Sequence, residues 1–237
     1  MDGARERFYI SGMDTRYSAI VVGCGGLGSA ALYWLSRELS PGVLGLEQFC
    51  LGHDRGASQD HPRIIRLAKH QSEYAALAPH AYEAFYEVEE ESGVKVHFKT
   101  GDPVVEAPEE RDPKKVGTRN VDGYVAAFEE HGFDYVLLDQ PELTDRWPQF
   151  HLRGSERAIF QKDSGLVDAR KAKAAHVGLA RARGATVLDG TPSGLSVLAG
   201  RAWRSSRTGV RTSPIGSWSP ATRGPTKSCE IPARGYR

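Results

Sequence analysis

Residues 17–49 read YSAIVVGCGGLGSAALYWLSRELSPGVLGLEQF. Ser18 to Val22 is a short apolar run rich in β-branched residues, suited to a strand buried on both faces. Gly23, Gly25 and Gly28 follow in G-x-G-x-x-G spacing, with Gly26 inside the same turn. The first glycine allows the tight turn, the second lets backbone approach a pyrophosphate, and the third lets the next helix pack closely. Leu27, Ala31, Leu35 and Leu39 recur at helical spacing and predict a helix over 27–39. Its N-terminus would aim free N–H groups and the positive dipole end at the turn. Pro41-Gly42 breaks the helix. Val43 to Leu46 then starts a second buried strand that ends in Glu47, followed by Gln48. A carboxylate roughly 20 residues beyond such a turn takes the ribose hydroxyls of a bound adenosine. Strand, turn, helix and acid agree on a βαβ dinucleotide-binding unit, not an ordinary strand-turn-helix.

Composition bounds the rest. The chain has 237 residues, 40% of them hydrophobic and 26% charged, which suits one large domain or two small ones. No apolar run reaches the roughly 20 residues needed to span a bilayer, and residues 1–16 read as a loose leader without a signal-peptide core. Cys24, Cys50 and Cys229 lack metal or redox spacing, which favours a reducing compartment. The expected location is cytoplasmic, with a peroxisome as the alternative for a eukaryotic full-length form. Net charge is +1, yet residues 199–237 hold eight Lys/Arg against the single acid Glu230. The mildly acidic remainder calls for neither nucleic acid nor membrane as partner.

Working outward from Glu47, a long polar segment runs to Pro62, and loops of that length in a compact domain are often functional. It leads into Arg63-Ile64-Ile65-Arg66-Leu67, whose two arginines share a face if the segment is helical. Arginine suits fixed recognition of carboxylate or phosphate because its donors form a rigid fork. Tyr74 to Glu91 predicts a helix with Tyr74, Leu77, Ala78, Ala81, Tyr82, Phe85 and Val88 on one stripe. Pro79 belongs to its first turn, and Glu87, Glu89, Glu90 and Glu91 form a solvated face. VKVHFKT and PVVEA (94–100 and 103–107) read as two paired antiparallel strands joined at Gly101-Asp102. A helix over 121–131, a strand over 133–138, a helical turn over 141–147 and a strand over 158–161 follow. Asp168 caps a helix ending at Gly184, and Thr186 to Leu188 is again a buried parallel-type strand.

After about Leu198 the periodicity stops, and the basic Ser/Pro/Gly/Arg composition cannot bury enough apolar surface to fold. A slipped reading frame explains this stretch better than a basic arm for nucleic acid or membrane. The eight histidines include no pair at helical ligand spacing, so no metal site is expected. The serines lack a G-x-S-x-G elbow.

With loop and arginines in hand, the chain resembles the monomeric sarcosine oxidase family, with its N-methyltryptophan and pipecolate oxidase members. The resemblance rests on VVGCGGLGSAALYWL, LEQF at 46–49, GASQDHPRIIRLA at 56–68, YAALAPHAYEAFYEVEEESG at 74–93, KTGD at 99–102 and residues 163–192. The RIIR segment after a Gly/Ser loop is its specific part. It implies an α/β fold: a Rossmann-like FAD-binding parallel sheet with an antiparallel α+β substrate-domain insertion, and a C-terminal half that is missing. Residues 16–93 would be the FAD-binding βαβ unit with flavin loop and helix, 94–162 the substrate-domain segment, 163–198 the return to the FAD-binding domain, and 199–237 a disordered tail. It implies Gly23, Gly25, Gly26 and Gly28 on the FAD pyrophosphate, Glu47 and Gln48 at the ribose, and Ser58, Gln59 and His61 beside the flavin. Arg63 would lie against the isoalloxazine, and Arg66 would bind the substrate carboxylate.

The implied reaction oxidises a secondary amino acid, N-methyl or cyclic, with O2 to imine and H2O2, in a monomer. This chain is expected to be truncated and inactive, because the segments with the covalent flavin cysteine and the oxygen-activating lysine are absent. The glycine turn also resembles ATP-binding adenylyltransferases of the ubiquitin-activating type, and a plain dinucleotide-binding module is a third reading. The Glu47-Gln48-Phe49 and RIIR segments favour the flavin family over both.

Overall fold

The computed structural model describes residues 8–9, 16–59, 62–67, 69, 71–107, 121–191, 194–198 and 202–206. In chain order come β1 (Phe8–Tyr9), β2 (Arg16–Tyr17), β3 (Ala19–Val22), α1 (Gly26–Leu39), β4 (Val43–Leu46) and β5 (Pro62–Ile65). Next are α2 (Ser72–Ser92), β6 (His97–Lys99), β7 (Asp102–Glu106), α3 (Val121–His131), β8 (Val136–Leu138) and α4 (Gln140–Arg146). The series closes with β9 (Arg157–Gln161), β10 (Gly165–Asp168), α5 (Ala169–Ala182), β11 (Thr186–Leu188), β12 (Gly194–Leu198) and β13 (Ala202–Ser206). Two compact units result, Met1–Gln59 with Lys173–Arg237, and Asp60–Ala172.

The first unit is built on a parallel sheet in the order β11-β4-β3. All four residues of β4 are buried, as a central strand covered on both faces requires. Gly45 is there for space, since a methyl group on it would meet Leu32 Cδ1 at 2.7 Å. Helix α1 turns a different stripe inward from the one expected. Ser29, Leu32, Tyr33 and Ser36 are buried, Ala31, Leu35 and Leu39 pack partly against the core, and Leu27 is 92% exposed. The reason is the polar inner stripe: Ser29 and Ser36 turn their hydroxyls onto the carbonyls of Gly26 and Tyr33 and so tolerate burial. Strand β13 pairs antiparallel with β12, so backbone pairing continues past Leu198, where the loss of pattern predicted none. Val197 and Trp203 stand in register there, and a hairpin makes its hydrogen bonds locally. Residues 199–201 and 207–237, the rest of the tail reading, lie outside the described residues.

The second unit holds two antiparallel sheets, β5-β10-β6 and β7-β9-β8. The RIIR segment is a strand and not a helical face: Arg63 stands on β5 opposite Val167 of β10, and Arg66 follows the strand's end. Consecutive β-branched Ile64 and Ile65 with a partner strand in register outweigh the helical reading. VKVHFKT and PVVEA do not pair with each other. Strand β6 joins β10 while β7 joins β9, because Gly101 (φ +70°) swings the chain between sheets. Helix α2 buries Ala75, Ala78, Tyr82 and Val88, leaves Tyr74 and Leu77 exposed, and carries Pro79 inside, beyond its first turn. Glu89 is no part of a solvated face. Its Oε1 accepts the N–H groups of Val96 and His97, at 2.7 and 2.6 Å, and its Oε2 accepts Lys95 Nζ at 2.9 Å.

Candidate functional site

Gly23 takes a left-handed conformation (φ +85°) that reverses the chain after β3. A methyl group on Gly28 would lie 1.7 Å from the Gly23 carbonyl oxygen, so only glycine lets α1 start this close to the turn. Gly25 is the N-cap and offers α1 no side-chain cap. A methyl group on Gly25 would meet no atom within 4 Å. Space therefore stands open beside Gly25 at the N-terminus of α1, where a helix favours an anion. Ser58 returns to this turn from the long loop, its Oγ 2.5 Å from where a Gly26 methyl would stand.

Glu47 ends β4 in a buried position. Its Oε2 accepts the Cys24 N–H at 2.7 Å, and its Oε1 accepts the Phe49 N–H at 3.1 Å. The backbone carbonyl of Glu47 accepts the Thr191 N–H at 2.9 Å, and its own N–H donates to Leu188. The acid is thus locked at the strand end, beside the glycine turn. Gln48, expected to accompany it, sits next in the chain and is exposed. Burial and the neighbouring Glu47 push the Cys24 thiol up to about 11, so it stays protonated and unreactive. Cys24 is free.

His53 is the neighbour that sequence reasoning missed. Its Nε2 lies 3.4 Å from Glu47 Oε1, and its ring meets Phe49 edge-on at 4.9 Å. The Arg55 guanidinium lies over the other aromatic of this group, 4.7 Å from the Phe49 centroid. No spacing rule marks His53, because the contact arises from the loop folding back on its own start.

Arg63 and Arg66 belong to the second unit. Arg63 is exposed on β5 and donates to the Pro62 carbonyl at 2.9 Å. Arg66 is partly exposed, and its Nη1 lies 3.5 Å from Asp102 Oδ2, an atom shut from solvent without a hydrogen bond. Burial and the Arg66 charge both lower the Lys69 ammonium pKa. His61, named with the loop, lies outside the described residues, and Gln59 ends the first unit. Among the described residues no cluster of His, Cys, Asp or Glu could hold a metal ion, and no helix is long and apolar enough to cross a membrane.

Residues 18–220 match the family described as FAD dependent oxidoreductase. A monomeric sarcosine oxidase from Arthrobacter sp. is 36% identical over 177 residues, covering 74% of this chain and 43% of that protein. The peroxisomal sarcosine oxidase of Mus musculus is 30% identical over 174 residues, covering 73% and 42%. Among solved structures, the open form of NikD, an amino acid oxidase essential for nikkomycin biosynthesis, superposes with a TM-score of 0.66. That similarity, at 24% identity, covers 77% of this chain and 46% of the other. The chain therefore spans under half the length of the curated relatives it matches.

Proposed function

The chain belongs to the FAD dependent oxidoreductase family, and from that premise we propose that its first unit binds the ADP half of FAD, for oxidation of a secondary amino acid of the sarcosine type. One observation carries the reading. A buried carboxylate, Glu47, is fixed at the end of a parallel strand by the N–H of Cys24, inside a glycine turn that is open to solvent space. The residues present fit the group: uncapped N–H donors for a pyrophosphate, and an acid for a ribose diol. Bound there, FAD supplies the redox chemistry. The chain's own residues bind and orient it: Gly23, Gly25, Gly26 and Gly28 at the pyrophosphate, Glu47 with Gln48 at the ribose, and Ser58 over the turn.

Arg63 and Arg66 are assigned to the flavin and to the substrate carboxylate respectively. Arg66 supports this by keeping a partly exposed guanidinium, anchored by Asp102, just past the end of β5. The reading extends to O2 as oxidant, a monomer, and a cytoplasmic or peroxisomal location, supported by relatives named monomeric and peroxisomal sarcosine oxidases. It also assigns 16–93 and 163–198 to cofactor binding and 94–162 to the substrate side. The family match leaves the adenylyltransferase alternative without support.

The test is a pair of binding measurements. Glu47→Gln should weaken FAD, read by quenching of flavin fluorescence, by roughly 1.5–3 kcal/mol, the scale of a hydrogen bond to a charged group. Arg66→Ala should abolish binding of N-methylglycine, read by NMR, and leave dimethylamine unaffected. Equal FAD affinity in the Glu47 variant would remove the ribose assignment.

A further inference from the structure

We infer that His53 is a displaceable occupant of the ribose acid, holding Glu47 until a diol takes its place. The inference rests on the proposed ribose role of Glu47. A carboxylate accepts through about four lone-pair positions. Two on Glu47 are taken by backbone N–H groups, Cys24 on Oε2 and Phe49 on Oε1, which β4 and the glycine turn fix in place. The His53 ring stands against a third, within ion-pair range but without a closed hydrogen bond. The Arg55 N–H donates to His53 Nδ1 at 2.9 Å, so Nδ1 bears a lone pair and the ring proton sits on Nε2. That Nε2–H stands 3.4 Å from Glu47 Oε1. A single position then remains for an incoming donor.

A ribose presents two vicinal hydroxyls, one more than this acid can take while His53 stays. Of the three donors, only the imidazole can leave. It is a side chain on a loop, its approach to Oε1 is long for a hydrogen bond, and its side chain is partly exposed where the acid's is buried. The edge-on Phe49 ring and the Arg55 N–H keep the imidazole close by. Without a nucleotide, His53 thus spares a buried carboxylate an unmet position, a cost that leaving it bare would impose. With a diol present, the same ring is exchanged for a hydroxyl, and the site discriminates ribose from deoxyribose through that exchange.

The experiment measures Kd for ADP and 2′-deoxy-ADP by titration calorimetry, on the whole chain and its variants. His53→Asn keeps an acceptor where Nδ1 stands, and His53→Phe keeps the ring contact with Phe49. Both delete the Nε2–H. Each should tighten ADP by roughly three- to tenfold, the scale of one weak hydrogen bond, and leave 2′-deoxy-ADP within about twofold. His53→Gln, which restores a donor near the Nε2 position, should return to the parent values. In the parent chain, the ¹⁵N signals of His53 should show the Nε2–H tautomer, and ADP should shift them more than 2′-deoxy-ADP does. Unchanged or weaker ADP binding in both deletion variants overturns the inference, as does an equal gain for the two ligands. If Glu47→Gln leaves ADP binding intact, the ribose role itself fails, which is a separate result.

Discussion

Glu47 and Glu106 are both carboxylates withdrawn from solvent, one in each unit, and they are finished in different ways. Glu106 accepts the Val121 N–H and the Arg157 Nε, and Arg157 reaches on to Asp122 with two bonds of 2.8 Å. A guanidinium neutralises the acid, and α3, β7 and β9 are tied together by it. Glu47 is met by two backbone N–H dipoles and an imidazole whose Nδ1 is already an acceptor. Burial alone therefore does not single out the acid proposed for ribose. The difference from Glu106 is that backbone dipoles stand in place of a cation, beside the glycine turn. In the second unit, Glu156 spends both oxygens on backbone N–H groups, while Glu89 gives one oxygen to backbone N–H groups and the other to Lys95.

The sharpest way to break this comparison is to delete the closed acid. Glu106→Ala takes the acceptor from the Val121 N–H and from Arg157 Nε, although Arg157 keeps Asp122, and should cost about 3 kcal/mol, the scale of lost hydrogen bonds to a charged group. Glu106→Gln should recover part of that. Urea denaturation reads both, and ADP affinity of the folded protein should not change. A loss of affinity alongside stability would erase the distinction between the two acids.

A second test sets the units against each other in acid. His176 on α5 is buried 3.4 Å from Ser29 and tilted against Tyr33, and burial lowers its pKa to about 4. The unfolded chain takes up that proton near pH 6.5, so this contribution is whole above pH 6.5 and is lost as pH falls towards 4. At most it is on the order of 3 kcal/mol. Amide exchange in α1 should accelerate across that window, and His176→Asn should flatten the response.

The smallest expected effect belongs to Glu89. Burial raises its carboxyl pKa, but the N–H groups of His97 and Val96 with the Lys95 ammonium outweigh burial and hold it below the usual range. Its stabilisation is present above the unfolded value near 4.5 and fades as pH falls through the lower folded value. Protection in β6 should thus outlast protection in α1 during acid titration. Glu89→Gln should cost about 1–2 kcal/mol, two N–H bonds being weakened and not removed. Equal acid sensitivity in the two units would remove the contrast.

These differences also explain what could be read in advance. The glycine turn, β3, β4 and β11 were legible as short apolar runs set around glycines at fixed offsets, although burial along the whole strand holds for β4 alone of the three, with Val22 of β3 exposed and β11 half-buried. The helix over 121–131 and the capping Asp168 were equally plain, the latter accepting the Lys171 N–H at 3.0 Å. Phase within α1 and α2 was not legible, since Ser29 and Ser36 go inward on local hydrogen bonds while Leu27 and Leu77 stay out. Sheet membership of β6 and β7 was hidden because their partners, β10 and β9, lie far along the chain. Glu89 and His53 act on loop backbone and loop neighbours, and neither contact leaves a periodic trace.

The parallel sheet has a consequence for the order in which the chain can fold. Strand β4 is paired on one side by β3, close behind it, and on the other by β11, and Leu51 just after β4 is held by Asp189, 138 positions later. The whole of the Asp60–Ala172 unit emerges from the ribosome before that second partner exists. Closing so long a loop as free chain costs entropy that non-local pairs must repay. Prior collapse of the intervening unit shortens it. Until then β4, apolar along its length, presents an unpaired edge, the kind of surface that chaperones cover during synthesis.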